Sequence, residues 1–354
     1  MIFKREAIVM RKRILSLLMT VGMSLIIGNS AIFTAAAMEG SPEEEAVYLA
    51  FTGDQHGETE TYREWIETML DVYGEQLILL SYAGDICDKN WEQPVFDEFQ
   101  SVLDELVPGR YNVTTGNQEF KQGAPGDHFG DLGEGFTRIG EVIKTDDYIV
   151  YDLGSAQEKL AVPQTDVDTL AAWLADAPFN IPIFILAHYP LHLAVQTEDH
   201  EIPGPDNYRQ QANNAALIEV LNQHPNIIFL WGHNHTFQDP RYGTIRPAGS
   251  KYSYTIEDPT DKAEFSFIYA NYGSFCRTDT YGIIARVLRT DDGVNVSLYY
   301  VDTDVPDKTK DSAEILITED GSVTTQVTDG TEIDLEDILS MTGYPDDPAF
   351  YEEY

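Results

Sequence analysis

The sequence predicts an α/β fold in which two sheets pack face to face and helices lie outside them. Two observations support this prediction. Between residues 46 and 231, short apolar runs of strand character alternate with amphipathic segments of helical period. From residue 265 onward the helical segments disappear and further strand-like runs follow. An alternating first part followed by a β-rich part is typical of two packed sheets.

The first part of the chain supplies most of the regular elements. Strands are predicted over 46–52, 76–83, 111–115, 148–153, 181–187 and 226–231. Helices are predicted over 61–73, 94–106, 166–174 and 212–221. Pro94 suits the first turn of its helix, and Asp166 suits an N-cap position. The Gly-rich segment 120–140 has no clear period, so we expect a loop there.

The later part of the chain reads as β-structure followed by an acidic tail. Strands are predicted over 265–269, 282–288 and 294–301. The last two are joined by Asp291-Asp292-Gly293, which favours a hairpin because Gly accepts a positive φ. Residues 306–354 show little hydrophobic pattern, and we expect a weakly packed acidic appendage with at most one hairpin, from 314–318 and 323–327.

Residues 1–37 have the features of a secretory signal peptide. A basic start is followed by the apolar stretch 14–27 and by the small residues Ala35-Ala36-Ala37. The alternative is a retained membrane anchor, but the apolar stretch is short for a full span. We therefore expect signal peptide 1–37, a main domain 38–305 and the appendage 306–354, in a secreted bacterial protein without stable membrane insertion.

The charge and cysteine content narrow the possible partners. Without residues 1–37 the chain has 17 Lys and Arg against 59 Asp and Glu, a net charge of −42. Nucleic-acid binding depends on cationic contacts with phosphates, so no nucleic-acid partner is expected. The two cysteines, Cys87 and Cys276, could pair in an oxidising compartment or remain two buried thiols, and the sequence leaves both open.

Five polar clusters follow predicted strands. They are Asp54 with His56, Asp85, Asn117, His188, and His233 with His235. In open α/β sheets, ligands bind at the carboxyl ends of the strands, where all five clusters are expected. Seven nitrogen and oxygen donors without Cys suit two divalent ions such as Mn, Fe, Zn or Co, whose identity the sequence does not determine. Metal pairs are typical of phosphoryl-transfer sites.

The order of these clusters resembles the calcineurin-like metallophosphoesterases. The motifs are Asp54-x-His56, Gly84-Asp85-x-x-Asp88, Gly116-Asn117-x-Glu119, His188 and Gly232-His233-x-His235. The resemblance implies a four-layer α/β/β/α sandwich of two mixed sheets. It also implies a dinuclear phosphoesterase that hydrolyses phosphomono- or phosphodiesters by attack of a metal-bridging hydroxide.

The resemblance also implies a role for each ligand. Asp54, His56, Asp85 and His235 would hold one metal, with Asp85 bridging to the second. Asn117, His188 and His233 would hold the second. Asp88 and Glu119 would hydrogen-bond to ligands or to metal-bound water.

Gln118 departs from the family pattern. The family commonly has His at this place, where it is thought to protonate the leaving group. An amide donates a hydrogen bond but delivers no proton. We therefore predict catalytic roles for Asp85, Asn117 and Gln118, with His128 and His192 as possible replacement acids. The alternative is a metal-binding protein or weakly active member of the family. The substrate, and whether it is a monoester or a diester, cannot be predicted from these residues.

Overall fold

The computed structural model describes residues 46–88, 91–121, 123–155, 162–191, 214–233, 245–253, 262–275, 280–302 and 311–328. The predicted signal peptide, His192, His235 and Cys276 lie outside these ranges. Cys87 is described, and it is a buried free thiol.

The first sheet has seven strands in the order β15-β14-β13-β12-β1-β2-β3. Its strands are β1 Val47–Thr52, β2 Leu77–Ala83, β3 Tyr111–Thr114, β12 Gly282–Thr290, β13 Gly293–Val301, β14 Ser312–Ile317 and β15 Val323–Thr328. The strands β1, β2 and β3 run parallel, and the remaining neighbours pair antiparallel. The carboxyl ends of the three parallel strands therefore meet at one edge.

The second sheet has six strands in the order β4-β5-β6-β7-β11-β8. They are β4 Val142–Lys144, β5 Ile149–Gly154, β6 Ile183–Ala187, β7 Ile227–Trp231, β8 Ile245–Arg246 and β11 Ile268–Asn271. Its four central strands are parallel, and both edge strands are antiparallel to their neighbours. A separate antiparallel pair joins β9 Ser250–Ser253 to β10 Lys262–Phe265.

Period-2 side-chain alternation divides the core into layers. On β1, Leu49 and Phe51 belong to the cluster between the sheets, where Phe51 stacks on Phe184 of the second sheet. Ala50 faces the opposite way, into the cluster with Tyr62 and Phe99 from the helices that cover the first sheet. These helices are α1 Thr59–Tyr73 and α2 Gln93–Leu106.

The second sheet is also covered on both faces. Every residue of β6 and β7 is buried, as expected for parallel strands with cover on each side. Helices α3 Gln164–Leu174 and α4 Asn214–Leu221 bury Leu170, Leu174, Leu217 and Leu221 in the same cluster as these strands. The fold prediction is thus confirmed, with two mixed sheets packed together and helices outside them.

Three local predictions differ from the structure. Asp166 is not the N-cap of α3, because the helix begins at Gln164 and the carbonyl of Pro163 accepts the N–H groups of Asp166 and Val167. The predicted strand 265–269 is two strands in different sheets. It is interrupted where the backbone and hydroxyl of Ser266 both bond to Asn222. The segment 120–140 contains 3₁₀ turns, one of them over Gly126–Asp131, rather than only loop.

The acidic tail contains more structure than its composition indicates. The predicted hairpin is present as β14 and β15, and β14 pairs with β13 of the first sheet. Ala313, Ile315 and Ile317 are buried in the core between the sheets. The boundary at residue 305 stays a prediction, although residues 311–328 pack with the main domain.

Candidate metal centre

The predicted ligands come from the carboxyl ends of strands in both sheets. Asp54 and His56 follow β1, Asp85 follows β2 and Asn117 follows β3. His188 follows β6 and His233 follows β7. One ligand atom each from Asp54, Asp85, His188 and His233 lies within 4.8 Å of the others.

These turns hold an unusual backbone conformation. Within the described ranges, the non-Gly residues with positive φ are Asp54, His56, Asp85 and His233, with φ of 55°, 47°, 58° and 73°. Such conformations are uncommon outside Gly, and they cluster at sites where strain serves a function. All four residues are predicted ligands. The unusual backbone of each turn therefore serves to direct a side chain toward the predicted metal site.

Close approach of the turns after β2 and β3 explains the glycines that precede two ligands. A Cβ on Gly84 would overlap the backbone of Gly116, and a Cβ on Gly116 would overlap the carboxylate of Asp85. The turn after β1 is held to its neighbour by Asp54 N–H, which donates to Gly84 O at 2.9 Å. The ligand-bearing turns therefore pack directly on each other.

Lone pairs converge on one side of the site. The Nδ1 of His188 lies 2.9 Å from the carbonyl oxygen of Ala83, which can only accept, so Nδ1 carries the hydrogen. The Nε2 of His188 then lies 2.9 Å from Asn117 Oδ1, 3.1 Å from His233 Nδ1 and 3.4 Å from Asp85 Oδ2. Ligands at about 2.0–2.2 Å from one ion stand about 2.8–3.6 Å apart in tetrahedral or octahedral geometry. The spacing fits a shared divalent ion.

Asp85 lies between the two sets of predicted ligands. Its Oδ2 is 3.4 Å from His188 Nε2 and 3.5 Å from His56 Nε2, so one oxygen faces both groups. Its Oδ1 accepts the backbone N–H of Gln118 at 2.9 Å. The other nitrogen of His56 is 3.5 Å from the carboxylate of Asp88. A carboxylate beside the far nitrogen of a metal-binding His orients the ring.

Asp54 connects the first sheet to the turn after β7. Its Oδ2 accepts the backbone N–H of His233 at 3.1 Å. Its Oδ1 is 4.0 Å from His188 Nδ1. The ring of Tyr189 packs edge-on against the rings of His188 and His233, with centroids 5.0 and 4.5 Å away. His235, the predicted partner of Asp54 and His56, lies outside the described residues.

Opposite charges shift the pKa values of the central groups. Burial alone would raise the pKa of Asp85, but His188, His56 and His233 hold it well below its usual value. Burial works to lower the pKa of His188, yet Asp85 and Asp54 raise it to about 9. A divalent cation bound to these groups would compete with protons for the same atoms.

Gln118 lies within the site, in a 3₁₀ turn over Gln118–Phe120. Its backbone holds Asp85, while its side-chain Oε1 is buried without a hydrogen-bond partner in the described part of the chain. A buried polar atom without a partner is costly, and it is commonly explained by a water, ion or ligand that binds there. The amide of Gln118 therefore has unused hydrogen-bonding capacity within the site.

Glu119 acts on the backbone rather than on ligand side chains. Its carboxylate accepts N–H groups from Asp85 at 2.8 Å, Ile86 at 3.0 Å and Gly116 at 2.7 Å. Burial, followed by the charge of Asp85, raises the pKa of Glu119 to about 7. The sequence predicted that Glu119 lies at the site, but it did not predict that Glu119 binds these backbone N–H groups. Backbone contacts between two turns leave no pattern in the sequence.

Sequence reasoning missed Tyr272, which is buried beside the site after β11. Its hydroxyl donates to the carbonyl of Ala83, the group that also accepts from His188. The chain is rich in Tyr, with 20 residues, so no local signal distinguished this one.

His128, one of the two possible replacement acids, lies on the surface. Its side chain is 83% exposed, and its Nδ1 lies 3.3 Å from the carboxylate of Asp131, which also pairs with Arg138. Its described contacts therefore connect it to the surface of the loop rather than to the metal ligands. His192, the other possible replacement, lies outside the described residues.

No protein-family model matches this chain, and no curated protein matches it. Solved structures do match. The chain is similar to TT1561 of Thermus thermophilus, with 13% identity, a TM-score of 0.43, and coverage of 73% of this chain and 99% of that one. It is also similar to a 5'-nucleotidase precursor of Thermus thermophilus, with 12% identity and a TM-score of 0.40. The match covers 86% of this chain and 59% of the nucleotidase chain.

A third similar structure is a phosphatase from Mycoplasma pneumoniae, with 10% identity, a TM-score of 0.35, and coverage of 83% of this chain and 99% of that one. Two of these similar structures are thus described as a nucleotidase and a phosphatase. At these identities and TM-scores the similarity carries no conclusion about the activity of this chain.

Proposed function

We propose that this protein is a metal-dependent phosphoesterase with two divalent ions in its site. One observation supports this above all others. Lone-pair donors from both sheets converge on His188 Nε2 and Asp85 Oδ2, at spacings of 2.9–3.5 Å that suit ligands of shared ions. Asp85 would bridge, with Asp54, His56 and His235 on one ion and Asn117, His188 and His233 on the other.

The metal ions and the side chains would have different roles in the reaction. When bound, a pair of divalent ions polarises phosphoryl oxygens and brings the pKa of coordinated water toward neutrality. Asp88 would keep the His56 ring in place, and the Ala83 carbonyl would keep the hydrogen of His188 on Nδ1. Gln118 would donate an amide hydrogen to a phosphoryl oxygen of the substrate. That hydrogen bond favours the developing charge but transfers no proton to the leaving group.

The experiment is a metal and activity assay on the purified chain. Bound transition metal would be measured, and nitrophenyl mono- and diesters of phosphate would be assayed with added Mn²⁺. We expect bound metal and turnover, both abolished in Asp85→Asn and retained in the exposed Asp176→Asn. Absence of metal and of turnover in the unmodified chain would refute the proposal. The monoester-to-diester ratio would define the substrate class.

Gln118 supports a second candidate function, a metal-binding protein with weak catalysis. Loss of general acid catalysis typically costs about 10²- to 10⁴-fold in rate. If the acid is missing, Gln118→His should raise turnover by a factor of this order without changing metal content. If the unmodified chain is already efficient and the substitution gives no gain, the second function is refuted.

We also propose that the protein is exported. Residues 1–37 support this, through their basic start, apolar stretch and small-residue cleavage site. N-terminal sequencing of the protein from culture medium would test it, with a start near residue 38 expected. Among the described residues, no helix combines the length and apolarity needed to cross a bilayer.

A further inference from the structure

Tyr272 fills the space between two ligand-bearing turns. Its aromatic ring contacts Gly53 and Gly232, the residues that immediately precede Asp54 and His233. A Cβ on Gly53 would lie 2.9 Å from the ring, and a Cβ on Gly232 would overlap it. The ring therefore limits how closely the turn after β1 can approach the turn after β7, although these strands belong to different sheets.

The hydroxyl of Tyr272 reaches a third strand end. It donates to the carbonyl of Ala83 at 3.3 Å, and the Nδ1 of His188 donates to the same oxygen at 2.9 Å. Burial, followed by the charge of Asp54, raises the pKa of Tyr272 well above its ordinary value, and the hydroxyl also hydrogen-bonds to the side chain of Asp54. The Ala83 carbonyl is thus within reach of two donors, and it is one of the contacts that orient the ring of His188.

The backbone of Tyr272 is attached independently of its side chain. Its N–H donates to Trp231 O at 2.8 Å, continuing the pairing of β11 with β7. Removing the hydroxyl therefore leaves the main-chain attachment in place. The side chain is completely buried, so its contacts serve the interior of the site and not a surface.

We propose that Tyr272 is a positioning residue of the metal centre. Its ring sets the separation between the turns that carry Asp54 and His233, and its hydroxyl aligns His188 through the Ala83 carbonyl. This proposal rests on the proposed function, because it requires that these side chains bind metal.

The test of the hydroxyl compares Tyr272→Phe with Tyr111→Phe. Tyr111 also donates a hydroxyl hydrogen bond, to Asp104 at 2.7 Å, but it starts β3 and so lies at the opposite end of that strand from Asn117. Mn²⁺ affinity would be measured by calorimetry on metal-stripped protein, alongside thermal melting. Outer contacts to metal ligands are typically worth about 10- to 100-fold in affinity. We expect a loss of about tenfold in Tyr272→Phe and unchanged affinity in Tyr111→Phe.

The test of the ring is a double-mutant cycle between Gly232→Ala and Tyr272→Leu. Alone, the added methyl group of Gly232→Ala overlaps the ring and should weaken Mn²⁺ binding. In the Tyr272→Leu background the methyl group has room, so its effect should shrink at least several-fold. Such non-additivity is the signature of direct contact. Additive losses of affinity would overturn the proposed role of the ring.

The outcomes separate this proposal from the proposed function. If the unmodified chain binds no divalent metal and shows no turnover, the proposed function fails and this proposal fails with it. If the unmodified chain binds Mn²⁺ and Tyr272→Phe binds it equally well, only the role of Tyr272 is overturned. Equal losses in Tyr272→Phe and Tyr111→Phe would also overturn it, since they would reflect general loss of stability.

Discussion

The carboxylate of Glu119 accepts the backbone N–H of Asp85 at 2.8 Å, in the turn where Asp85 holds a positive φ of 58°. The same carboxylate accepts the N–H groups of Ile86 and Gly116. One buried side chain thus joins the turn that carries Asp85 to the turn that carries Asn117. The position of the predicted bridging ligand depends on a residue that need not touch the metal.

Glu119→Gln should therefore lower both stability and metal affinity. The amide nitrogen would face backbone N–H donors, leaving at least one donor without an acceptor, at a cost of about 1–3 kcal/mol in the free energy of unfolding. Urea unfolding and Mn²⁺ calorimetry would measure the two effects. The exposed Glu98→Gln is the control and should change neither. A Glu119→Gln protein with unaltered unfolding and metal affinity would contradict this account.

Asp85→Asn should abolish function without unfolding the protein. Asn keeps the shape of the side chain but loses the charge that faces His56 and His188. Because outer contacts are worth up to about 100-fold in metal affinity, loss of a ligand charge should cost more than about 100-fold in affinity and activity. Metal content and turnover would be compared with Asp176→Asn. Retention of full metal content in Asp85→Asn would show that Asp85 does not bind metal.

Metal binding should stabilise the fold. A ligand at 100 times its Kd adds about 2.7 kcal/mol to the free energy of unfolding. At about 2.1 cal/mol/K of unfolding entropy per residue, about 1 kcal/mol raises the Tm of a chain of this size by roughly 1.5 °C, so saturating Mn²⁺ should raise Tm by about 4 °C. Thermal melting with chelator and with Mn²⁺ would measure the shift. Mn²⁺ should raise the Tm of Asp85→Asn very little. An equal rise in Tm for Asp85→Asn and the unmodified chain would show that Mn²⁺ binds at a site other than Asp85.

Asp152 should make stability depend on pH. It is buried between the sheets, where Asn112 donates to both of its oxygens at 2.8 and 3.1 Å. Burial raises the pKa of Asp152 from 3.8 to about 7. Since the folded state holds the proton more tightly, its stabilising contribution is present below pH 3.8 and is lost as pH rises to about 7.

Asp152→Asn should remove this dependence. At pH 8 the variant should be more stable than the unmodified chain, by at most roughly 4 kcal/mol, and the difference should shrink toward pH 4. Urea unfolding of metal-free protein between pH 4 and pH 8 would measure it. Asp176→Asn is again the control. Parallel stability curves for Asp152→Asn and the unmodified chain would contradict the prediction.

Ile315 tests whether the acidic tail belongs to the main domain. It is buried in the core between the sheets, although composition alone suggested a weakly packed appendage. Ile315→Ala should lower the free energy of unfolding by about 2–5 kcal/mol, as for other buried aliphatic truncations. Thr324→Ala on the neighbouring strand, whose side chain is exposed, should change it by less than about 0.5 kcal/mol. Little loss in Ile315→Ala would mean that β14 contributes little to the core.

Local sequence patterns were enough to predict which strand ends carry the candidate ligands. Asp54, Asp85 and Asn117 each follow an apolar run and a turn, and a strand end in an α/β sheet is where such side chains can meet. The strands were predictable because burial on both faces of β6 and β7 requires continuous apolar residues. The interruption of the predicted strand at Ser266 was not predictable, because it depends on hydrogen bonds to Asn222, 44 residues away.

By itself, the sequence determined the α/β class, the strand ends and the residue types available for metal binding, because each depends on local periodicity and on donor chemistry. Only the tertiary structure decided how the two sheets bring Asp85 between His56 and His188. Only there do Glu119 and Tyr272 acquire partners, since their contacts join turns that are distant in the chain. Such contacts depend on the packing of one sheet against the other, which no local pattern records.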